Sequence, residues 1–281
     1  MTTVGIVGCG TIGSALAKTL DRELSHVARL VALADKSRLN ALRLQRQLTS
    51  HPPIVSLSEL IRRSQLVIEA ASASVAAQVA RHALAANRDV LIMSTGGLLT
   101  DGAAWPRAAR RSRGRLYVPS GAVPGLDGIK AMAVGTIRKI TLTTRKPPGT
   151  WASAPFVKTR RLNLTRLKRP TTLFEGSPAQ AVKAFPQNLN VAATIALACR
   201  APVQNQRRGG TRKLPPMRIR IVADPTIRVN VHELNVEGDC GRLQCRIESW
   251  PAVTNPRTSE LAVRSALATL HQLFNPVRIG T

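Results

Sequence analysis

The stretch GIVGCGTIG, residues 5–13, constrains the fold more than any other part of the chain. Gly8, Gly10 and Gly13 form G-x-G-x-x-G directly after TVGIVG, a run that reads as a buried strand. They open IGSALAKTLDREL, where Ile12, Leu16, Leu20 and Leu24 mark the four-residue rows of a helix face. The first glycine permits a tight turn, the second lets the backbone approach a pyrophosphate, and the third lets helix and strand pack closely. Thr11 and Ile12 then begin a helix whose first N–H groups are unpaired and whose end carries partial positive charge. Asp35 closes the second strand, RLVALAD, 22 residues after Gly13. A carboxylate there can accept hydrogen bonds from an adenosine ribose 2′-OH. The pattern predicts NAD or NADP as cofactor, since Lys36 and Arg38 beside Asp35 could accommodate a 2′-phosphate. Cys9, inside the turn, reads as a small space-filler rather than a nucleophile.

From this motif the alternation continues. QLVIEAA, DVLIMS and RLYVPSG are further short apolar runs with helical stretches between them. Strands separated by helices imply βαβ units and a parallel sheet covered on both faces, hence a doubly wound α/β domain over residues 1–121. After Gly121 the rhythm changes. IRKITLTTRKPP, TTLFEG, MRIRIVAD, IRVNVHELNVEG and GRLQCRIES follow one another with short or irregular links, which predicts a mixed or antiparallel sheet in a second α/β domain, residues 122–254. Ser177, Pro178 and Gln180 predict a capped helix start, and NLNVAATIALAC a second helix. Residues 255–281 read as a C-terminal helix opened by Asn255 as cap and Pro256 in its first turn. Its face of Val263, Leu267, Leu270 and Phe274 predicts docking back on the first domain. The segment Arg200 to Pro216 has loop composition and no periodicity.

A net charge of +26, from 41 basic and 15 acidic residues, is what a nucleic-acid binder can show. The basic clusters RAARRSRGR, KTRRLNLTRLKR and RRGGTRKLPPMRIR are not interleaved with aromatic residues, so stacking platforms are missing. No zinc-finger spacing or basic-zipper heptad is present. A solvated basic surface that attracts anions is the preferred reading, with no specific nucleic-acid partner. The apolar runs are too short and too interrupted by charge to span a bilayer, and no secretion signal opens the chain. Four cysteines without CxxC spacing point to a reducing cytoplasm.

Two further features carry chemistry. STGGLL, Ser94 to Leu99, follows a strand of the first sheet, where ligands collect; its glycines serve either a ligand's approach or merely the turn. In VNVHELNVEG a single imidazole, His232, precedes Glu233. A zinc-peptidase helix needs a second histidine four positions on, and Val236 stands there, so no metal site is expected. His232 is then either a catalytic group carried on a strand or a histidine that packs and hydrogen-bonds.

The chain resembles the L-aspartate dehydrogenases through PSGAVPGLDGI, TTRKPP, FEGSPAQAVKAFPQNLNVAATIALA, ADPTIRVNVHELNVEG and NPRTSELAVRSALATL, which with the glycine motif span almost its whole length. The resemblance implies a Rossmann domain followed by a substrate domain, and NAD(P)-dependent oxidative deamination of L-aspartate through iminoaspartate to oxaloacetate and ammonia. It also implies, for some members, a supply of iminoaspartate to NAD biosynthesis. By motif, Ala122 and Asn190 correspond to cofactor contacts and His232 to the catalytic histidine. The substrate's two carboxylates need cationic partners, for which Arg145 and Lys146 of TTRKPP are the candidates. A homodimer is the expected assembly. The link Arg200 to Pro216 is longer, and Gly149 to Pro170 more basic, than the family pattern. Alternatives are another two-domain dehydrogenase or reductase, a cofactor-binding regulator without turnover, or a basic nucleic-acid-binding protein.

Overall fold

The computed structural model describes residues 1–101, 104–185, 190–200 and 214–280; for 256 and 257 only the backbone is described. The chain divides into two compact units, residues 1–121 with 262–278, and residues 122–261 with 279–281. Most of the Arg200 to Pro216 link lies outside the described residues.

The first unit contains β1 (Thr2–Val7), α1 (Thr11–Arg22), β2 (Ala28–Ala34), α2 (Arg38–Gln45), α3 (Leu57–Arg63), β3 (Leu66–Glu69), α4 (Ala73–Ala85), β4 (Asp89–Ile92), α5 (Thr95–Thr100), α6 (Ala104–Arg111) and β5 (Leu116–Tyr117). The strands form one parallel sheet in the order β2-β1-β3-β4-β5. The predicted doubly wound fold is therefore present, with its strand order reversing beside β1, where such sheets bind ligands. Val4, Ile6, Leu33, Ile68 and Leu91 from the strands and Leu16 and Leu20 from α1 are buried in one core.

The second unit contains α7 (Leu126–Val134), β6 (Ile137–Lys146), α8 (Pro155–Thr159), β7 (Thr171–Gly176), α9 (Pro178–Ala184), α10 (Asn190–Arg200), β8 (Met217–Ala223), β9 (Asn230–Gly238), β10 (Arg242–Ser249), β11 (Pro251–Ala252) and β12 (Asn255–Ser259). Its main sheet has the order β10-β9-β6-β8-β7, with β6 and β8 parallel and every other pair antiparallel. The expected mixed sheet is observed. Alternation along β6 and β9 turns Ile140, Leu142, Leu234 and Val236 inward against α7 to α10, while Asn235 and Glu237 face out. Ser177 and Gln180 form the predicted capping box of α9.

The last helix, α11 (Glu260–Phe274), starts later than its sequence suggests. Asn255 does not cap it and Pro256 is not in its first turn: Asn255–Ser259 is strand β12, paired with β11. The hairpin wins because its ladder binds backbone groups that a helix start would leave unpaired, and Glu260 N–H donates to Trp250 C=O at 2.9 Å as the helix begins. Residues 262–278 belong to the first unit, where Ala266 and Leu270 are fully buried and Leu267 and Phe274 pack against the core. Among the described residues no helix is long and apolar enough to cross a membrane.

Candidate active site

The glycine turn binds β1 to α1 with no room for side chains at two of its three positions. A Cβ at Gly8, where φ is +97°, would lie 2.6 Å from the backbone of Ala70 and Ala71, and one at Gly13 would collide with the carbonyl oxygen of Gly8. At Gly10 the situation reverses: a Cβ would meet nothing within 4 Å. Gly10 is also the N-cap of α1 and offers no side-chain acceptor, so the N–H groups that open the helix, with Thr11 and Ile12, are not capped by it. Asp35 closes this cradle, its Oδ2 accepting from Cys9 N–H and its Oδ1 from Ser37 N–H, both at 2.7 Å. Those two bonds fix the carboxylate while leaving lone pairs for further donors. Open space at Gly10, an uncapped helix end and a fixed carboxylate fit a dinucleotide. Burial and the neighbouring Asp35 carboxylate push the Cys9 thiol up to about 12, which leaves it unreactive.

Sequence reasoning overlooked Glu69 at the end of β3. Its carboxylate is fully buried and accepts from the N–H groups of Ala71 at 2.8 Å, Ser72 at 3.0 Å and Ser94 at 3.0 Å, and from Ser94 Oγ at 2.8 Å. Burial raises its carboxyl above the ordinary range, opposed by these bonds. A lone acid in the apolar run QLVIEAA was the available signal. Glu69 ties together two turns at the carboxyl edge of the parallel sheet. STGGLL itself forms the start of α5, and Gly97 is there for packing, since a Cβ would collide with Ala73 C=O at the start of α4.

In the second unit the candidate catalytic and substrate-binding side chains lie on β6 and β9. Thr144 lies opposite His232 in the antiparallel register, so both point to the same face, and Thr144 Oγ1 is 3.0 Å from His232 Nδ1. The imidazole is buried, at 4 % exposure. Burial first, and then the positive charge of Lys146, push it from 6.5 down to about 3. Lys146 is two positions beyond Thr144 and therefore on the His232 face, 8 % exposed, its Nζ 5.3 Å from the centre of the Trp151 ring. Burial lowers its ammonium from 10.5 to about 8. Trp151 is held by its own Nε1–H, which donates to Val222 C=O at 3.1 Å.

Arg145 points to the opposite face, where it pairs with Glu233 at 3.4 Å and Asp224 at 3.9 Å. The structure thus brings Lys146 to His232 and keeps Arg145 away from it. Ala122 is buried at the start of the second unit, and Asn190 is the first residue of α10. Thr144 and Trp151 were not singled out from the sequence, because a threonine in a strand and a tryptophan in a core are ordinary. Among the described residues no cluster of three or more metal-ligating side chains occurs.

A family model described as "Aspartate dehydrogenase, C-terminal" matches residues 127–273, and one described as "Homoserine dehydrogenase, NAD binding domain" matches residues 8–119. An L-aspartate dehydrogenase of Methanosarcina barkeri is 40% identical over 284 residues, and one of Methanosarcina acetivorans 41% identical over 285, each covering 100% of both chains. The crystal structure of aspartate dehydrogenase from Thermotoga maritima superposes with a TM-score of 0.69 at 25% identity, again over 100% of both chains.

Proposed function

Because the chain belongs to the L-aspartate dehydrogenase family, we propose that it oxidatively deaminates L-aspartate with His232 as the group that handles the protons. L-aspartate, NAD(P)⁺ and water give oxaloacetate, ammonium, NAD(P)H and a proton, by way of iminoaspartate; the bound cofactor supplies the acceptor for the α-hydrogen. The protein must then orient a dianionic substrate, remove a proton from its ammonium group, and help water attack the imine carbon. An imidazole can perform the last two tasks when its surroundings bring its proton affinity toward neutrality. Thr144 accepts from Nδ1–H in this reading, which fixes the tautomer whose Nε2 lone pair takes the proton.

Gly8, Gly10, Thr11, Ile12, Gly13 and Asp35 are the proposed cofactor residues of the first unit, and Ala122 and Asn190 keep their proposed roles as further cofactor contacts. Lys146 is the proposed cation for a substrate carboxylate. Arg145 is the weaker candidate, since two acids already occupy its guanidinium on the other face of the sheet. A homodimer is supported by Trp250 and Val253, exposed apolar side chains beside and between β11 and β12. Four free cysteines support a reducing compartment. Release of iminoaspartate before hydrolysis would serve NAD biosynthesis.

The observation that carries the reading is a buried imidazole and a buried ammonium on one face of adjacent strands. The test is a screen of amino acids with NAD and NADP, following the reduced cofactor by absorbance. Turnover with L-aspartate well above other amino acids is expected; equal or better turnover with another substrate would replace this reading.

A further inference from the structure

Lys146 stands in an unusual electrostatic position. On the His232 face, the neighbouring strand positions are Asn230 on β9, Ile221 and Ala223 on β8, and Ile247 and Ser249 on β10, none of them charged. Thr144 is opposite His232, so Lys146 lies diagonally from it, where side chains of this length meet. The acids nearest in sequence, Glu233 and Asp224, pair with Arg145 on the other face. On the helices packed over the inner face, Lys158, Lys183 and Arg200 are exposed, and Lys130 pairs with Asp127 at 2.8 Å. Among the described residues, Lys146 is the charge that acts on His232.

We propose that Lys146 reads the side-chain carboxylate of the substrate and that this contact switches His232 on as a base. The proposal rests on the reading of His232 given above. In the protein without substrate, burial and the Lys146 ammonium both disfavour the imidazolium, and His232 titrates at about 3. Such an imidazole is neutral at pH 7 and a poor proton acceptor, because the acceptor's affinity for the proton is too low. Lys146, titrating at about 8, is charged at that pH. A carboxylate placed against its ammonium cancels the opposing field at His232 and adds a favourable one. The imidazole then accepts the proton from the substrate amine. A substrate with the same shape and no side-chain charge leaves the base switched off, so selection for a dicarboxylate falls on kcat more than on KM.

Two measurements test this. The first follows the His232 ring by NMR in the unligated protein, titrated with succinate or with succinamate. Succinate is expected to raise the ring's titration point by about one to three pH units, and succinamate to leave it in place. An equal response to both overturns the proposal. The second compares L-aspartate with L-asparagine in wild type, Lys146→Met and Lys146→Arg, with thermal midpoints checked. In Lys146→Met the acid limb of kcat/KM should move upward by about one pH unit, the smaller share of a depression that burial dominates, and the kcat preference for aspartate over asparagine should shrink at least about tenfold. Lys146→Arg should keep both as in wild type. If Lys146→Met raises only KM while limb and kcat ratio stay put, Lys146 is a plain clamp and this proposal fails alone. Retained turnover in His232→Asn would instead overturn the assignment of the base. Should Lys146→Met not fold, the wild-type succinate titration still decides.

Discussion

Thr144 and His232 face each other across the β6–β9 ladder, Oγ1 to Nδ1 at 3.0 Å, and both side chains are buried. The hydroxyl engages Nδ1, so the proposed base function falls to Nε2. His232→Ala is expected to lower kcat by roughly two to four orders of magnitude, the usual worth of a positioned acid–base group, with NADH affinity and thermal midpoint nearly unchanged. His232→Asn keeps much of the shape without the titration and should be similarly impaired. Thr144→Val leaves Nδ1 without its partner, so it should cost about 1–3 kcal/mol of stability and reduce kcat as well. Steady-state kinetics with thermal melts separates these outcomes; near-normal turnover in His232→Asn would make the imidazole structural.

The glycine turn predicts two opposite phenotypes from one kind of substitution. Gly10→Ala meets open space in the protein, so the fold should be kept; the NADH dissociation constant should rise at least about tenfold, because the methyl would stand in the path proposed for the pyrophosphate. Gly13→Ala collides with Gly8 C=O and should lower the thermal midpoint outright. Calorimetric NADH titration beside melting curves distinguishes them.

Asp35 should favour NAD over NADP, since a carboxylate accepts from a 2′-OH and repels a 2′-phosphate. Asp35→Ala is expected to narrow that preference. Because the carboxylate also holds Cys9 N–H and Ser37 N–H, affinity for both cofactors should fall somewhat. Wild-type protein that binds NADP far more tightly than NAD would show that Lys36 and Arg38 dominate instead.

Stability should depend on pH through the buried pair. Folding depresses His232 from 6.5 to about 3, so the unfolded chain takes the proton first. The stability of the neutral form is complete above pH 6.5 and is lost toward pH 3, at about 1.4 kcal/mol per pH unit. Folding also depresses Lys146, from 10.5 to about 8, so the stability linked to its neutral form is complete above pH 10.5 and gone below 8. At pH 7 the buried ammonium therefore costs on the order of 3 kcal/mol. Lys146→Met should melt higher than wild type at pH 7 while losing activity, and the gain should vanish toward pH 10.5. Equal melting at pH 7 would place the ammonium in water.

The arginines of RAARRSRGR form a cationic surface: Arg107, Arg110, Arg111, Arg113 and Arg115 are exposed, and none makes an ion pair among the described residues. DNA binding there should be weak, indifferent to sequence and lost steeply as salt rises. Fluorescence anisotropy across a salt series measures this, and a tight complex with one preferred sequence at physiological salt would contradict it.

The parts of the fold set by local periodicity were legible in the sequence. The glycine turn, the four-residue rows of α1 and the capping box at Ser177 each encode their own geometry. Asn255 and Pro256 misled because their local preference for a helix start lost to pairing with Pro251–Ala252, a contact no local pattern announces. The candidate site was half legible. His232 stood out as an ionisable group in an apolar alternation, but the pairing of β6 with β9 decides that Thr144 and Lys146 share its face and Arg145 does not. Strand register is a tertiary fact, and one residue of slip would have exchanged Arg145 for Lys146.

The return of α11 to the first unit sets an order of events at the ribosome. Ala266 and Leu270 fill a core otherwise built from the first third of the chain, and Ser265 Oγ accepts from Gly121 N–H at 2.7 Å. While residues 122–261 are being synthesised, the nascent first unit lacks the side chains of Ala266 and Leu270 that complete its core. The second unit holds all of its main-sheet strands before α11 is made, but the first can close only once α11 has followed them.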